Sequence, residues 1–119
     1  MTELYHYACE HSARQIIRDG VIKPSTTGYL KVSWWTDMAY PDRHALGLTS
    51  HALDCDRTDF RFTLTDPGAA VHWGRVRSHA PALLRDAIEL VPGAEPARWW
   101  VTHLEVPAAG FVPVKSLKP

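Results

Sequence analysis

The sequence predicts an α+β fold: a single domain of short, mixed or antiparallel strands with two modest helices. Three observations carry that expectation. The 119 residues hold one domain's worth of chain. Their apolar residues fall mainly in short runs of strand length. Only two stretches show the three- and four-residue spacing of an amphipathic helix. The 45% hydrophobic content separates the chain from disordered sequences, and a chain of this size needs neither disulfide nor metal to fold.

The elements follow in order. Residues 3–8 (ELYHYA) are aromatic-rich and short, the pattern of a strand. The next stretch has Ser12 as N-cap, Ala13, Ile16 and Ile17 on one side, and Gly20 as a stop, which predicts a helix. Residues 21–25 leave it extended, because the residue before Pro24 is pushed out of the helical region. Thr26, Thr27 and Gly28 read as a turn. Leu30 to Thr36 reads as a strand, with Trp34 and Trp35 facing opposite ways. Residues 37–57 show no sustained period, and a loop of that length in a small domain is commonly functional. Phe60 to Leu64 alternates like a half-buried strand, Asp66-Pro67-Gly68 breaks it, and Ala70 to Trp73 resumes it. Pro81 through Val91 is the clearest amphipathic helix, ended by Pro92-Gly93. Trp99 to Val106 and Phe111 to Val114 complete the strands, the second on an edge because of Pro113.

Charge narrows the function classes. Thirteen basic residues balance thirteen acidic ones, so the net charge is zero and the basic excess of a nucleic-acid-coating protein is missing. The first ten residues lack a signal-peptide core, and no segment approaches a membrane span, so no membrane association is expected. Cys9 and Cys55 do not make a disulfide framework, and a cytoplasmic, reduced protein is expected. The residues do not set an oligomeric state.

The common chemical motifs are absent. Seven histidines invite a test for metal, yet there is no C-x-x-C, H-E-x-x-H or H-x-x-x-H, and no metal is expected. No G-x-S-x-G elbow, P-loop or G-x-G-x-x-G occurs. The tryptophans are more informative. Trp34-Trp35 and Trp99-Trp100 each place one ring on either side of a strand, so one ring per pair can line a cleft and stack on a flat ligand.

The opening of the chain carries a resemblance. Leu4-Tyr5-His6-Tyr7 is followed by a helix ending Ile16-Ile17-Arg18-Asp19-Gly20-Val21-Ile22, by Pro24-Ser25, and by the strand Val32-Ser33-Trp34-Trp35-Thr36. Over about the first fifty residues this order resembles the amino-terminal half of small ADP-ribosyltransferase-like domains. These include DNA-targeting ADP-ribosyltransferase toxins and RNA phosphotransferases that consume NAD. The resemblance implies an ADP-ribosyltransferase-like fold and NAD as co-substrate, with a nucleic-acid or protein acceptor. It also implies that His6 holds the NAD ribose, within a cofactor-binding set of Tyr5, His6, Trp34, Trp35 and Thr36. For the acid or cation that helps the glycosidic bond break, it points to Glu105 and, by analogy with relatives that hold phosphates, Arg61. The family's pair of acids flanking one residue is absent here.

Two other classes stay open. One is a non-catalytic interaction or inhibitor module on the same fold, in which exposed tryptophans and histidines form a contact patch. The other is a small metal-dependent hydrolase. Whether the chain is an enzyme is left undecided by its residues: 119 of them make either a minimal transferase or glycohydrolase, or a fold kept for binding.

Overall fold

Tyr5–Ala8 (β1) forms a strand because its rings and small residues alternate across the pleat: Leu4 and Ala8 enter one core cluster, Tyr5 and Tyr7 another. The computed structural model describes residues 3–27, 30–42, 45–46 and 56–117. After β1 come helix Glu10–Asp19 (α1), Val21–Ile22 (β2), Ser25–Thr27 (β3), Leu30–Thr36 (β4) and Phe60–Thr63 (β5). Then follow Val71–His72 (β6), the short helix Trp73–Val76 (α2), helix Ala82–Glu89 (α3), Trp99–Thr102 (β7), Val106–Pro107 (β8) and Val112–Pro113 (β9).

The main sheet runs in the order β6-β7-β4-β1-β5-β9, with β3 also paired to β4, and its pairings are antiparallel. A separate two-stranded piece joins β2 to β8. The architecture is α+β, as the periodicity predicts. Both faces of the sheet are covered. On one, Leu4, Ala8, Trp35, Phe62 and Leu64 pack against Ala13 of α1 and Ile22 of β2. On the other, Val32, Trp99 and Val101 pack against Trp73 and Ala80, with Leu84 and Ile88 of α3. The expected opposition of Trp34 to Trp35, and of Trp99 to Trp100, is found in this division.

Several boundaries differ from expectation, each for a local reason. The N-cap of α1 is Cys9, with Ser12 inside the first turn, and Cys9 makes no side-chain cap hydrogen bond. Cys9 is disulfide-bonded, contrary to the expected reduced thiol; Cys55, the chain's other cysteine, lies outside the described residues. Thr26 and Thr27 are strand, not turn, because β3 pairs back along β4. The stretch from Trp99 to Val106 breaks after Thr102, and its last residue joins β2 in the smaller sheet. Trp73 opens α2, with the His72 side chain accepting from the Gly74 amide at 3.0 Å. Pro113 lies on β9, the terminal strand of the order, as its missing N–H requires. Of the long irregular segment, Ala45 is buried, and its carbonyl accepts from the Trp99 indole at 2.9 Å. No helix of the described residues is long and apolar enough to cross a membrane.

Two glycines make a testable contrast. Gly20 ends α1 at φ +74, with its amide donating to the Ile16 carbonyl, and a Cβ there would meet open space. Gly110 has φ +64, and a Cβ there would lie 2.6 Å from Thr63 Oγ1 and 2.8 Å from Thr63 Cβ. Gly20→Ala therefore costs only the left-handed penalty, about 1 kcal/mol. Gly110→Ala adds a clash against β5, and its urea midpoint is expected to fall clearly further than that of Gly20→Ala. Equal midpoints would contradict the clash.

Candidate functional site

The site begins where the sheet comes apart. β5 pairs with β1 along its whole length, from Tyr5↔Thr63 to Ala8↔Phe60, and β7 pairs with β4 from Ser33 to Thr36. Between β1 and β4 the pairing is confined to Tyr5↔Thr36. An antiparallel ladder continued from that point would set His6 opposite Trp35 and Tyr7 opposite Trp34. The strands diverge instead, and a side chain spans the gap: His6 Nδ1 lies 2.8 Å from the Trp34 carbonyl oxygen.

A carbonyl only accepts, so Nδ1 carries the proton and donates to it. Burial pushes the His6 pKa below its ordinary value, and the bond to the Trp34 carbonyl only partly offsets this. The ring is therefore neutral at pH 7. Its Nε2 makes no hydrogen bond to the described residues, which leaves an acceptor directed by a fixed ring. The ring also leans on Trp35, with centroids 5.5 Å apart.

A cavity of about 660 Å³ opens around this gap, a volume typical of small-molecule sites. Tyr5, His6 and Tyr7 of β1 and Ser33 to Thr36 of β4 line it, with Ile16, Asp19 and Lys23 at one side and Leu46, Arg57 and Trp99 at the other. The aromatic wall is rigid. The Trp34 ring packs on Trp73 and Trp99 at 5.0 and 6.0 Å, and the Trp35 indole donates to Thr102 Oγ1 at 3.0 Å. The Tyr7 hydroxyl donates to the Met38 carbonyl at 2.5 Å. Burial pushes its pKa up to about 12, so the phenol stays protonated throughout the physiological range.

The charges are few. Asp19 is paired with Lys23 at 3.7 Å and with Arg18 at 3.5 Å. Arg57 makes no ion pair or hydrogen bond among the described residues. The described residues of the cavity thus offer a neutral imidazole acceptor, flat aromatic surfaces and two cations, Lys23 and Arg57.

The residues singled out from the sequence divide. Tyr5, His6, Trp34, Trp35 and Thr36 all line the one cavity. Glu105 and Arg61 do not: Glu105 is exposed beside β8, and Arg61 stands behind the tyrosines. Sequence reading missed Tyr7, Lys23 and Arg57. The signal for Tyr7 was present, since it shares a strand face with Tyr5. Arg57 gave none, because it lies in an aperiodic segment.

Trp35, Trp73 and Trp99 are buried, and Trp34 and Trp100 are half-buried. Among the described residues no group of three or more His, Cys, Asp or Glu is arranged to hold a metal ion. Comparison of the chain with protein-family models, with curated proteins and with solved structures finds no match in any of the three.

His6 also sets a pH response. Its folded pKa lies below the ordinary 6.5, so the unfolded chain binds the proton first as pH falls. Its contribution to stability is complete above that ordinary value and is lost as pH drops towards the folded pKa. Urea midpoints are expected to decline below about pH 6.5, more steeply in wild type than in the non-titrating His6→Asn variant. Parallel declines would remove His6 as the source.

Proposed function

We propose that the protein is a small NAD-using, ADP-ribosyltransferase-like protein that transfers ADP-ribose to a nucleic-acid or protein acceptor, or to water. One observation carries this reading: the diverging strands β1 and β4 put a neutral, backbone-fixed His6 beside aromatic walls in a single cavity. That combination suits a nucleoside. The Nε2 acceptor takes a ribose hydroxyl, and a tyrosine or tryptophan face takes the flat ring. Lys23 and Arg57 supply positive charge for phosphates.

In the proposed reaction the bond between the ribose anomeric carbon and the nicotinamide nitrogen breaks, and its electron pair leaves with nicotinamide. The acceptor's oxygen or nitrogen, or water, forms the new bond to that carbon and gives up its proton to solvent. The cavity contributes orientation. His6 fixes the sugar, and the aromatic wall holds the leaving ring in line.

A second reading has its own observation. Among the described residues no glutamate lines the cavity, and the acid that does, Asp19, is tied to Lys23 and Arg18. On that reading the same cavity binds NAD without cleaving it, as a binding module.

Two measurements separate the readings. NAD at millimolar concentration is expected to raise the melting temperature, and nicotinamide release is followed by chromatography. Stabilisation with release supports the transferase or glycohydrolase, and stabilisation without release supports the binding module. No stabilisation and no release would sink both.

A further inference from the structure

We infer that Arg61 is the positioning residue of the cavity's tyrosine wall, holding Tyr5, Tyr7 and the segment after β4 in one arrangement without touching the ligand. The inference rests on reading the cavity as the NAD site.

The alternation of β5 sends Phe60 and Phe62 into the core beneath α1, so Arg61 emerges on the opposite face. There it is in register with Tyr7 across β1. Its guanidinium carbon lies 4.5 Å from the centre of the Tyr5 ring, a cation–π contact. One terminal nitrogen donates to the Ala39 carbonyl. The group also stands close enough to the Tyr7 hydroxyl to favour its ionisation by charge and hydrogen bonding.

Those three partners lie on two segments of the chain, β1 and the stretch after β4, and two of them, Tyr5 and Tyr7, line the cavity. Tyr7 itself bonds the Met38 carbonyl, so arginine and tyrosine clamp neighbouring carbonyls of one segment. Arg61 Nε is buried without a partner. A side chain present only to fill space would avoid that desolvated donor; here it accompanies a planar fork that reaches three groups at once. Lysine keeps the charge but offers a single compact head, so it cannot hold all three.

The test compares wild type, Arg61→Lys and Arg61→Ala by NAD titration calorimetry at a temperature where each is folded. A second readout is the aromatic signals of ¹³C-tyrosine-labelled protein by NMR, which needs no ligand. Arg61→Lys is expected to fold, to shift the Tyr5 and Tyr7 signals, and to bind NAD at least tenfold more weakly. Tyrosine signals and affinity both unchanged in Arg61→Lys would overturn the inference, and so would shifted signals with unchanged affinity. Should Arg61→Ala fail to fold, Arg61→Lys decides alone. Should wild type not bind NAD, the functional reading falls separately, and unchanged tyrosine signals in Arg61→Lys would then overturn the positioning role.

Discussion

Replacing His6 with alanine is expected to abolish both the NAD-induced rise in melting temperature and the release of nicotinamide. On the proposed NAD reading the imidazole has two separable tasks. Nδ1 closes the gap between β1 and β4 by donating to the Trp34 carbonyl at 2.8 Å, and Nε2 is left to meet the ligand. Alanine removes both. Losing the first leaves a carbonyl unpaired beside the cavity, a cost of about 1–3 kcal/mol if water does not replace the bond. Losing the second removes the acceptor for the sugar, and a tenfold loss of affinity corresponds to about 1.4 kcal/mol.

Two shorter changes pull these tasks apart. The asparagine amide reaches about as far as Nδ1, so His6→Asn is expected to recover stability but not NAD binding. The glutamine amide reaches about as far as Nε2, so His6→Gln is expected to favour binding over stability. Melting curves with and without NAD, run on all three variants, read both tasks together. Wild-type NAD affinity in His6→Asn would remove the Nε2 role, whatever its stability.

What could be read from the chain is local. The β1–α1–β2 order follows from Tyr5, Ile16, Gly20 and the residue before Pro24, because each acts within a few positions. The two-sided arrangement of Trp34 and Trp35 follows from the strand's period of two. The site's defining feature is not local. The divergence of β1 from β4 depends on pairings across nearly thirty residues of sequence, and the period of either strand is the same whether they pair fully or part. Arg61 shows the same limit. An arginine between two phenylalanines must find solvent or a partner, and its partners, Tyr5 and Ala39, are brought to it only by the fold. Glu105 failed to reach the cavity for a topological reason: the chain leaves the main sheet after Thr102 and joins β2 instead.

The largest loss of stability is expected from Trp73→Ala. Trp73 is 1% exposed and opens α2 directly after the edge strand β6, where its indole fills the space beneath Val32, Trp99 and Val101. Removing a buried aromatic ring costs about 3–5 kcal/mol, against a total stability of about 5–15 kcal/mol for a domain. The indole also donates to Glu89 Oε2 at 2.6 Å, while Arg77 binds both oxygens of the same carboxylate at 2.8 and 2.6 Å. Glu89 therefore keeps a charged partner when the tryptophan is lost, and the cavity left in the core dominates the cost. Trp73→Phe separates the contributions: it retains most of the packing and loses the indole donor, for about 1–2 kcal/mol. Urea denaturation of the two variants gives the comparison, and a Trp73→Ala loss no larger than that of Trp73→Phe would show that the core closes over the space. The functional consequence runs through Trp34, whose ring rests on Trp73 at 5.0 Å while its own residue lines the cavity. With Trp73 gone, Trp34 has room to turn away from the gap, and weakened NAD binding in the surviving folded fraction is the expected sign that the core sets the geometry of the aromatic wall.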